Sequence, residues 1–322
     1  MTNKYRFTQV RHAEQVADCL PWKLITAQQL SRGSFCCDIE SLGNTDISIV
    51  RRICSTSLRE IAVIPEGFIC LLLHPEEGKT YVKGRYFGKG TICTIAGDKQ
   101  WEVFTQQGAT TYALLLNKKS IQQYMDEECA QVFQQFYHQG FDIALATPEI
   151  TQPIFDHVDI LLEKAANSND DLVQKINQTD KLALITLLGE LLKSVRYEDL
   201  RSNSNAKLLD RALGFINNNI RRKFTISELA DYLHTHQRNV ELIFNAYLDL
   251  SPREYASNLK LNLVRAALIA SANKKVSIAE VANKYGISHM GNFSQSYSKL
   301  FLELPSDTVR NHRREIENSV VD

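Results

Sequence analysis

The chain has 322 residues, 44% of them apolar and 23% charged. These are globular values, which exclude wholesale disorder and leave room for two or three domains with cores of their own. The net charge of zero hides an asymmetry. From Asn205 onward there are 16 Lys+Arg and 12 Asp+Glu, a net +4, so residues 1–204 hold the other 21 and 25, a net −4. A basic C-terminal part suits a polyanionic partner. The first residues lead into no apolar segment and no run of about 18 apolar residues occurs, which predicts a cytoplasmic chain that does not enter a membrane.

In chain order, residues 1–20 place Val10, Ala13, Val16, Ala17 and Leu20 along one side, the pattern of a short helix stopped by Pro21. From Trp22 to Asn117 short β-branched and aromatic runs alternate with turn residues. Ile47–Val50, Glu60–Ile64, Phe68–Leu73, Thr91–Ile95 and Thr111–Leu116 are such runs, and Gly33, Gly43-Asn44, Pro65-Glu66-Gly67, Pro75-Glu76-Glu77-Gly78, Gly84, Gly88, Gly90, Gly97-Asp98 and Gly108 are turn signals. Many short strands at this spacing predict a β-barrel or jelly roll of about eight strands over residues 1–117. A barrel of that size is either filled by side chains or encloses one small ligand. Trp22, Phe35, Tyr81 and Trp101, with His74 as the one histidine between Trp22 and Asn117, are the candidate effector-binding residues. Ordinary core packing is the simpler account of the same aromatics.

A metal-dependent enzyme in such a barrel needs several His and carboxylate ligands around one ion, and that set is missing. All seven cysteines lie in the first 130 residues, with no CxxC and no His at zinc-finger spacing. Reduced, buried thiols are expected, and no cofactor or metal is implied.

From residue 118 to 200 the period turns helical. Ile121, Tyr124, Met125, Val132, Phe133, Phe136 and Tyr137 make one stripe, and Leu182, Leu184, Ile185, Leu187, Leu188, Leu191 and Leu192 another. A helix this rich in leucine packs either on its own barrel or on a second copy, and the expectation is a helical dimerisation region. Asn167–Asp171 is a predicted exposed loop, and Arg201-Ser202-Asn203-Ser204-Asn205 the predicted linker to a third region, 205–322.

That region carries one design twice. Thr225-Ile226-Ser227-Glu228-Leu229-Ala230 and Ser277-Ile278-Ala279-Glu280-Val281-Ala282 each place a hydroxyl at a helix start and a glutamate three residues on, the signature of a capping box. Each opens a short helix, a turn and a second helix, so two helix-turn-helix units are predicted. In the first, a turn at His234-Thr235-His236 precedes a helix from Gln237 to Leu248. In the second, Tyr285-Gly286-Ile287-Ser288 precedes a helix from Met290. A recognition helix offers its first turns to base edges, so His236, Gln237, Arg238, Asn239 and Glu241, and then His289, Asn292, Gln295, Ser296 and Lys299, are the candidate DNA-binding residues. A solvated helix face is the plain alternative. Two such helices on one chain can enter successive major grooves about 34 Å apart.

The stretch from Leu208 to Arg314 resembles the AraC/XylS family of bacterial transcription regulators. The resemblance rests on both capping boxes, Ser251-Pro252-Arg253-Glu254-Tyr255, Leu261-Asn262-Leu263-Val264-Arg265, Tyr285-Gly286-Ile287-Ser288, Gly291-Asn292-Phe293-Ser294, Tyr297, Leu300-Phe301, Leu304-Pro305-Ser306 and Arg310. The Gly-Asn-Phe-Ser and Leu-Pro-Ser wording is similar to the subgroup that contains the ethanolamine-operon activator. The resemblance implies a multidomain α+β chain: a cupin-like β-barrel effector domain with a helical dimerisation region, then an all-α DNA-binding domain with two helix-turn-helix units. It implies double-stranded DNA and RNA polymerase as partners, an unidentified small-molecule effector, a homodimer, and activation of transcription rather than catalysis. The chain departs from the family pattern at His234, Asp249 and Leu302, which stand where glycine is usual. Two other classes fit less well: an architectural or ligand-independent DNA-binding regulator, and an enzyme fused to a DNA-binding module, for which the cysteines lack metal spacing.

Overall fold

Among the described residues twelve strands build the sheets of the N-terminal part: β1 (Arg6–Val10), β2 (Lys23–Gln29), β3 (Cys37–Gly43), β4 (Ile47–Cys54), β5 (Leu58–Val63), β6 (Phe68–Leu73), β7 (Thr80–Val82), β8 (Arg85–Phe87), β9 (Thr91–Ala96), β10 (Gln100–Thr105), β11 (Thr110–Asn117) and β12 (Phe141–Leu145). The computed structural model describes residues 4–75, 80–82, 85–98, 100–139, 141–168, 176–194, 204–272 and 277–319. The turn signals at Glu76-Glu77-Gly78 and Gly84 lie outside the described residues.

The strands form a seven-stranded sheet, in the order β1-β3-β4-β11-β6-β9-β12, and a five-stranded sheet, β2-β5-β10-β7-β8. This is an open two-sheet sandwich, and it corrects the expected closed cupin-like barrel. Closure needs hydrogen bonds between the outermost strands, and among the described residues β1 and β12 remain the two edges of one sheet. Alternating patterns look the same in a barrel and in a sandwich, because both bury one face of each strand.

Register shows how each face is used. In β4 against β11, Ile49 pairs with Leu114 and Ile47 with Leu116. These residues, with Leu71 and Ile92, share one core with helices α3 (Pro148–Ala166) and α4 (Gln178–Ser194). The opposite face of β4 carries Arg52, whose guanidinium donates to the carboxylate of Glu60 on β5, a strand of the other sheet. Both ions are buried, at 7% and 2% side-chain exposure.

Three elements differ from the sequence expectation. Residues 1–20 contain strand β1, paired with β3, followed by a 3₁₀ helix from Ala13 to Cys19. The edge of a sheet decides this segment, which periodicity alone reads as a helix. Strand β12 falls inside the expected helical region, where Phe141–Leu145 pairs antiparallel with β9. The stripe read as one helix is divided between helices α1 (Lys118–Gln122) and α2 (Glu127–Gln139), with Tyr124 and Met125 in the turn between them. Asn117 caps α1 by accepting from the Ser120 N–H at 3.2 Å.

Cys37 and Cys54 face each other across β3 and β4 and are joined in a disulfide, which corrects the expectation of reduced thiols throughout. Cross-strand register, invisible in spacing, brings them together. Cys19, Cys36, Cys70, Cys93 and Cys129 are not disulfide-bonded.

Most leucines of α4 serve the chain's own sheet. Leu184, Ile185, Leu188, Leu191 and Leu192 are buried beside Ile154, Val158 and Leu162 of α3, each contributing roughly 1.5–3 kcal/mol. No helix among the described residues is long and apolar enough to cross a membrane.

The chain divides into two compact units. One comprises residues 1–27, 36–55 and 59–201, the other residues 28–35, 56–58 and 202–322. Of the expected linker, residues 201–203 lie outside the described residues, and Ser204 and Asn205 already belong to α5 (Ser204–Asn219). The second unit continues with α6 (Ile226–Leu233), α7 (Gln237–Leu248), α8 (Pro252–Ala270), α9 (Ile278–Lys284), α10 (Met290–Phe301) and α11 (Pro305–Ser319). Within it, Asn262 of α8 accepts from the Gln29 N–H at 2.9 Å and donates to the Gln29 carbonyl at 2.7 Å, which holds residues 28–35 on that helix.

Candidate nucleic-acid interface

Both helix-turn-helix units begin at the expected caps. Thr225 Oγ1 accepts from the Glu228 N–H at 3.1 Å, and Glu228 accepts from the Thr225 N–H at 2.6 Å. Ser277 and Glu280 repeat the exchange at 3.1 and 2.8 Å. A third box, Ser251 with Glu254, starts α8 with Pro252 in its first turn. The cap N–H groups hold the Glu228 and Glu280 carboxyls below the usual range. Such caps contribute about 1 kcal/mol each and fix where each scaffold helix enters.

The two turns differ. Gly286, at φ +74°, makes the turn between α9 and α10. A Cβ there would meet the Arg221 carbonyl oxygen at 2.9 Å. In the first unit His234 takes the left-handed conformation at φ 54°, ψ 47°. Asp249 and Leu302, which end α7 and α10, do the same at φ 53° and 55°. The turn geometry that glycine usually supplies is thus kept by three side-chain-bearing residues, each in a region that costs L-residues roughly 1–2 kcal/mol.

The inward faces are those expected from periodicity. Val240, Ile243, Phe244 and Tyr247 of α7 are buried, as are Phe293, Tyr297 and Leu300 of α10. Behind α10 a polar chain crosses three helices. Arg265 of α8 donates to Tyr297 Oη at 3.3 Å and to Thr308 Oγ1 at 3.2 Å. Thr308 of α11 donates to Glu303 at 2.6 Å, so the Tyr297 hydroxyl donates to Thr308 at 2.7 Å. Arg265 and Glu303 form an ion pair, and burial pushes the Tyr297 phenol up to about 12.

The outward faces carry the candidate DNA-binding residues. His236, Gln237, Arg238 and Glu241 are exposed at the start of α7, and His289, Asn292, Gln295, Ser296 and Lys299 are exposed around α10. Asn239 differs, being half-buried with its amide donating to Thr235 Oγ1 at 2.9 Å. It fastens the turn to the helix, and Gln237 and Arg238 are the more exposed candidates beside it. Sequence reasoning passed over the cations Arg222, Lys223, Arg253 and Lys260, which line one cleft of about 670 Å³ within this unit. The basic run Arg221-Arg222-Lys223 just before the first capping box was the available signal.

The five candidate effector residues lie in different surroundings. All five are buried. Phe35 belongs to the second unit. Trp22 lines a pocket of about 260 Å³ with Arg6, Asp18 and Ser48, and none of the other four lines it. His74 is fully engaged: Nδ1 donates to the Thr110 carbonyl at 2.8 Å, which leaves Nε2 to accept from the Thr80 hydroxyl at 2.9 Å. Burial holds this imidazole down to about 4. Tyr81 packs edge-on against Phe104 with centroids 5.8 Å apart. The indole N–H of Trp101 has no hydrogen-bond partner among the described residues.

Comparison with known proteins points the same way as the duplicated caps and exposed helix starts. A family described as a helix-turn-helix domain matches residues 229–311. The XylDLEGF operon transcriptional activator of Pseudomonas putida is 33% identical over 129 residues, 40% of this chain and 40% of that protein, so the match spans well under two thirds of the relative's length. The XylDLEGF operon transcriptional activator 2 of the same organism is 33% identical over 140 residues, 40% of this chain and 89% of that protein. In the solved structures, the AraC-like transcriptional activator CuxR is 10% identical, with 87% of this chain and all of that one covered at a TM-score of 0.43. These relatives give no support to the ethanolamine-operon subgroup. Carrying two helix-turn-helix units and matching a relative over most of that relative's length, the chain belongs to the AraC/XylS family of DNA-binding transcription regulators.

Proposed function

We propose that the protein activates transcription by reading two successive major grooves of duplex DNA, one with α7 and one with α10. The observation that carries this reading is the pair of exposed polar helix starts, Gln237-Arg238 on α7 and Asn292 with Gln295 on α10, each behind its own capping box. Arg238 suits guanine, Gln237 and Gln295 suit adenine, and the basic balance of the C-terminal part favours the phosphates around them. Selection from a random duplex pool with the full chain tests it. Two conserved blocks about 10 base pairs apart are expected, and a single block would refute the two-groove reading.

Activation is the function that the relatives' names state, and contact to RNA polymerase is what the family resemblance implies. Control by a small effector is supported by the unpartnered indole N–H of Trp101 and the unpartnered hydroxyls of Thr105 and Thr111, all buried in the N-terminal sheets. An effector-independent regulator is the second reading, favoured by the complete engagement of His74. A homodimer is supported by Ile160 on α3 and Leu182 on α4, which stay 60% and 41% exposed although their neighbours are buried. Sedimentation of the full chain and of Ile160→Glu checks that arm, with loss of the dimer expected in the variant.

A further inference from the structure

The cleft of about 670 Å³ in the second unit lies among the start of α6, the first half of α8 and the turn before α10. Its size falls in the range of small-molecule sites. Its floor is apolar, built from buried Leu261 and Phe293, and its walls are the half-buried side chains of Phe224 and Ile287. Four cations stand around this recess, Arg222, Lys223, Arg253 and Lys260, against one carboxylate, Glu228. Glu228 already accepts from the Thr225 N–H at 2.6 Å and from Arg222 at 3.2 Å. Among the described residues no carboxylate pairs with Lys223, Arg253 or Lys260. Burial first, and then the charge of Lys223, hold the Lys260 ammonium below its usual value. An anion placed beside it would relieve both effects.

The recess is preformed. Gly286 lies against the Arg221 backbone so closely that a Cβ would stand 2.9 Å from its carbonyl oxygen. The Arg221 guanidinium also lies over the Tyr285 ring, 5.8 Å from its centroid. The turn of the second helix-turn-helix is thereby fixed against the entrance of the first helix-turn-helix.

We propose that this cleft binds a small organic monoanion with a flat apolar body, the acid group among Lys223, Arg253 and Lys260 and the body on Leu261, Ile287 and Phe293. A DNA strand satisfies the rim but leaves the floor unfilled, because a sugar–phosphate chain is polar. His289, Asn292 and Ser296 line the same cleft. On the proposed function, an occupant there sits against the reading face of α10 and opposes DNA binding.

The test is calorimetric titration of the full chain, without DNA, using 2-naphthalenesulfonate and its neutral counterpart 2-naphthol. One site per chain is expected for the sulfonate, with 2-naphthol weaker. Lys260→Gln should weaken the sulfonate about tenfold or more, and Ile287→Asp should abolish binding, with melting temperature reporting that each variant is folded. Absence of sulfonate binding up to millimolar concentration overturns the proposal. So does equal affinity in the wild type and Lys260→Gln, which places the sulfonate elsewhere. If Lys260→Gln weakens only a duplex and not the sulfonate, the cleft is a phosphate-backbone site and the proposal is wrong. Failure of the DNA reading is seen separately, because the sulfonate titration contains no nucleic acid.

Discussion

Arg265 on α8 and Glu303 between α10 and α11 form an ion pair with side-chain exposures of 7% and 14%, and Tyr297 and Thr308 complete its hydrogen bonds. The pair ties the second reading helix to the helices on either side. Glu303→Ala leaves the guanidinium buried without its counter-charge, which costs about 3–5 kcal/mol. Urea unfolding of the full chain should show a transition at lower denaturant, and DNA affinity should fall at temperatures where the wild type is still folded.

Leu302 ends α10 in the left-handed region with its side chain 63% exposed. Leu302→Gly removes the steric cost of that conformation, roughly 1–2 kcal/mol, and adds back part of it as unfolded-state entropy. A net gain of about 0.5–1 kcal/mol is expected, read as a higher urea midpoint with unchanged slope. A loss of stability would show that the Leu302 side chain contributes more packing than its exposure indicates.

The burial of His74 makes the stability of the N-terminal sheets depend on pH. Its folded value is lowered from 6.5 to about 4. As pH falls below 6.5 the unfolded chain binds a proton that the folded chain refuses until about 4, so stability is level above 6.5 and declines between the two values. The full loss is about 3 kcal/mol. His74→Gln, which does not titrate, should flatten that decline in denaturation series at pH 7 and pH 4.5.

Reading residues should separate by role. Arg238→Ala and Gln295→Ala should each relax base preference at distinct positions about one helical turn apart, measured by binding selections. Lys299→Gln, by contrast, should weaken all duplexes alike and reduce the salt dependence of binding. An unchanged preference in both of the first two variants would sink the two-groove reading.

The C-terminal unit was largely legible because its signals are local. A hydroxyl and a glutamate three apart make a cap wherever they sit, and α7 runs over the expected residues, Gln237 to Leu248. The N-terminal part was less so, because its signals are long-range. Whether strands close into a barrel, whether Phe141–Leu145 finds a free edge on β9, and whether Cys37 meets Cys54 are decided by pairing between distant segments. The engagement of Asn239 by Thr235 shows the same limit within a candidate site, since residue type alone marks Asn239 as a reader.

The two turns also set different latitudes for substitution. At residue 286 a side chain would run into a main-chain oxygen, whereas residue 234 already carries an imidazole at an exposed helix end. A library scanning both positions should find 286 closed to everything but glycine and 234 permissive. Sequence drift in the duplicated module is therefore free to accumulate in the first turn while the second stays frozen.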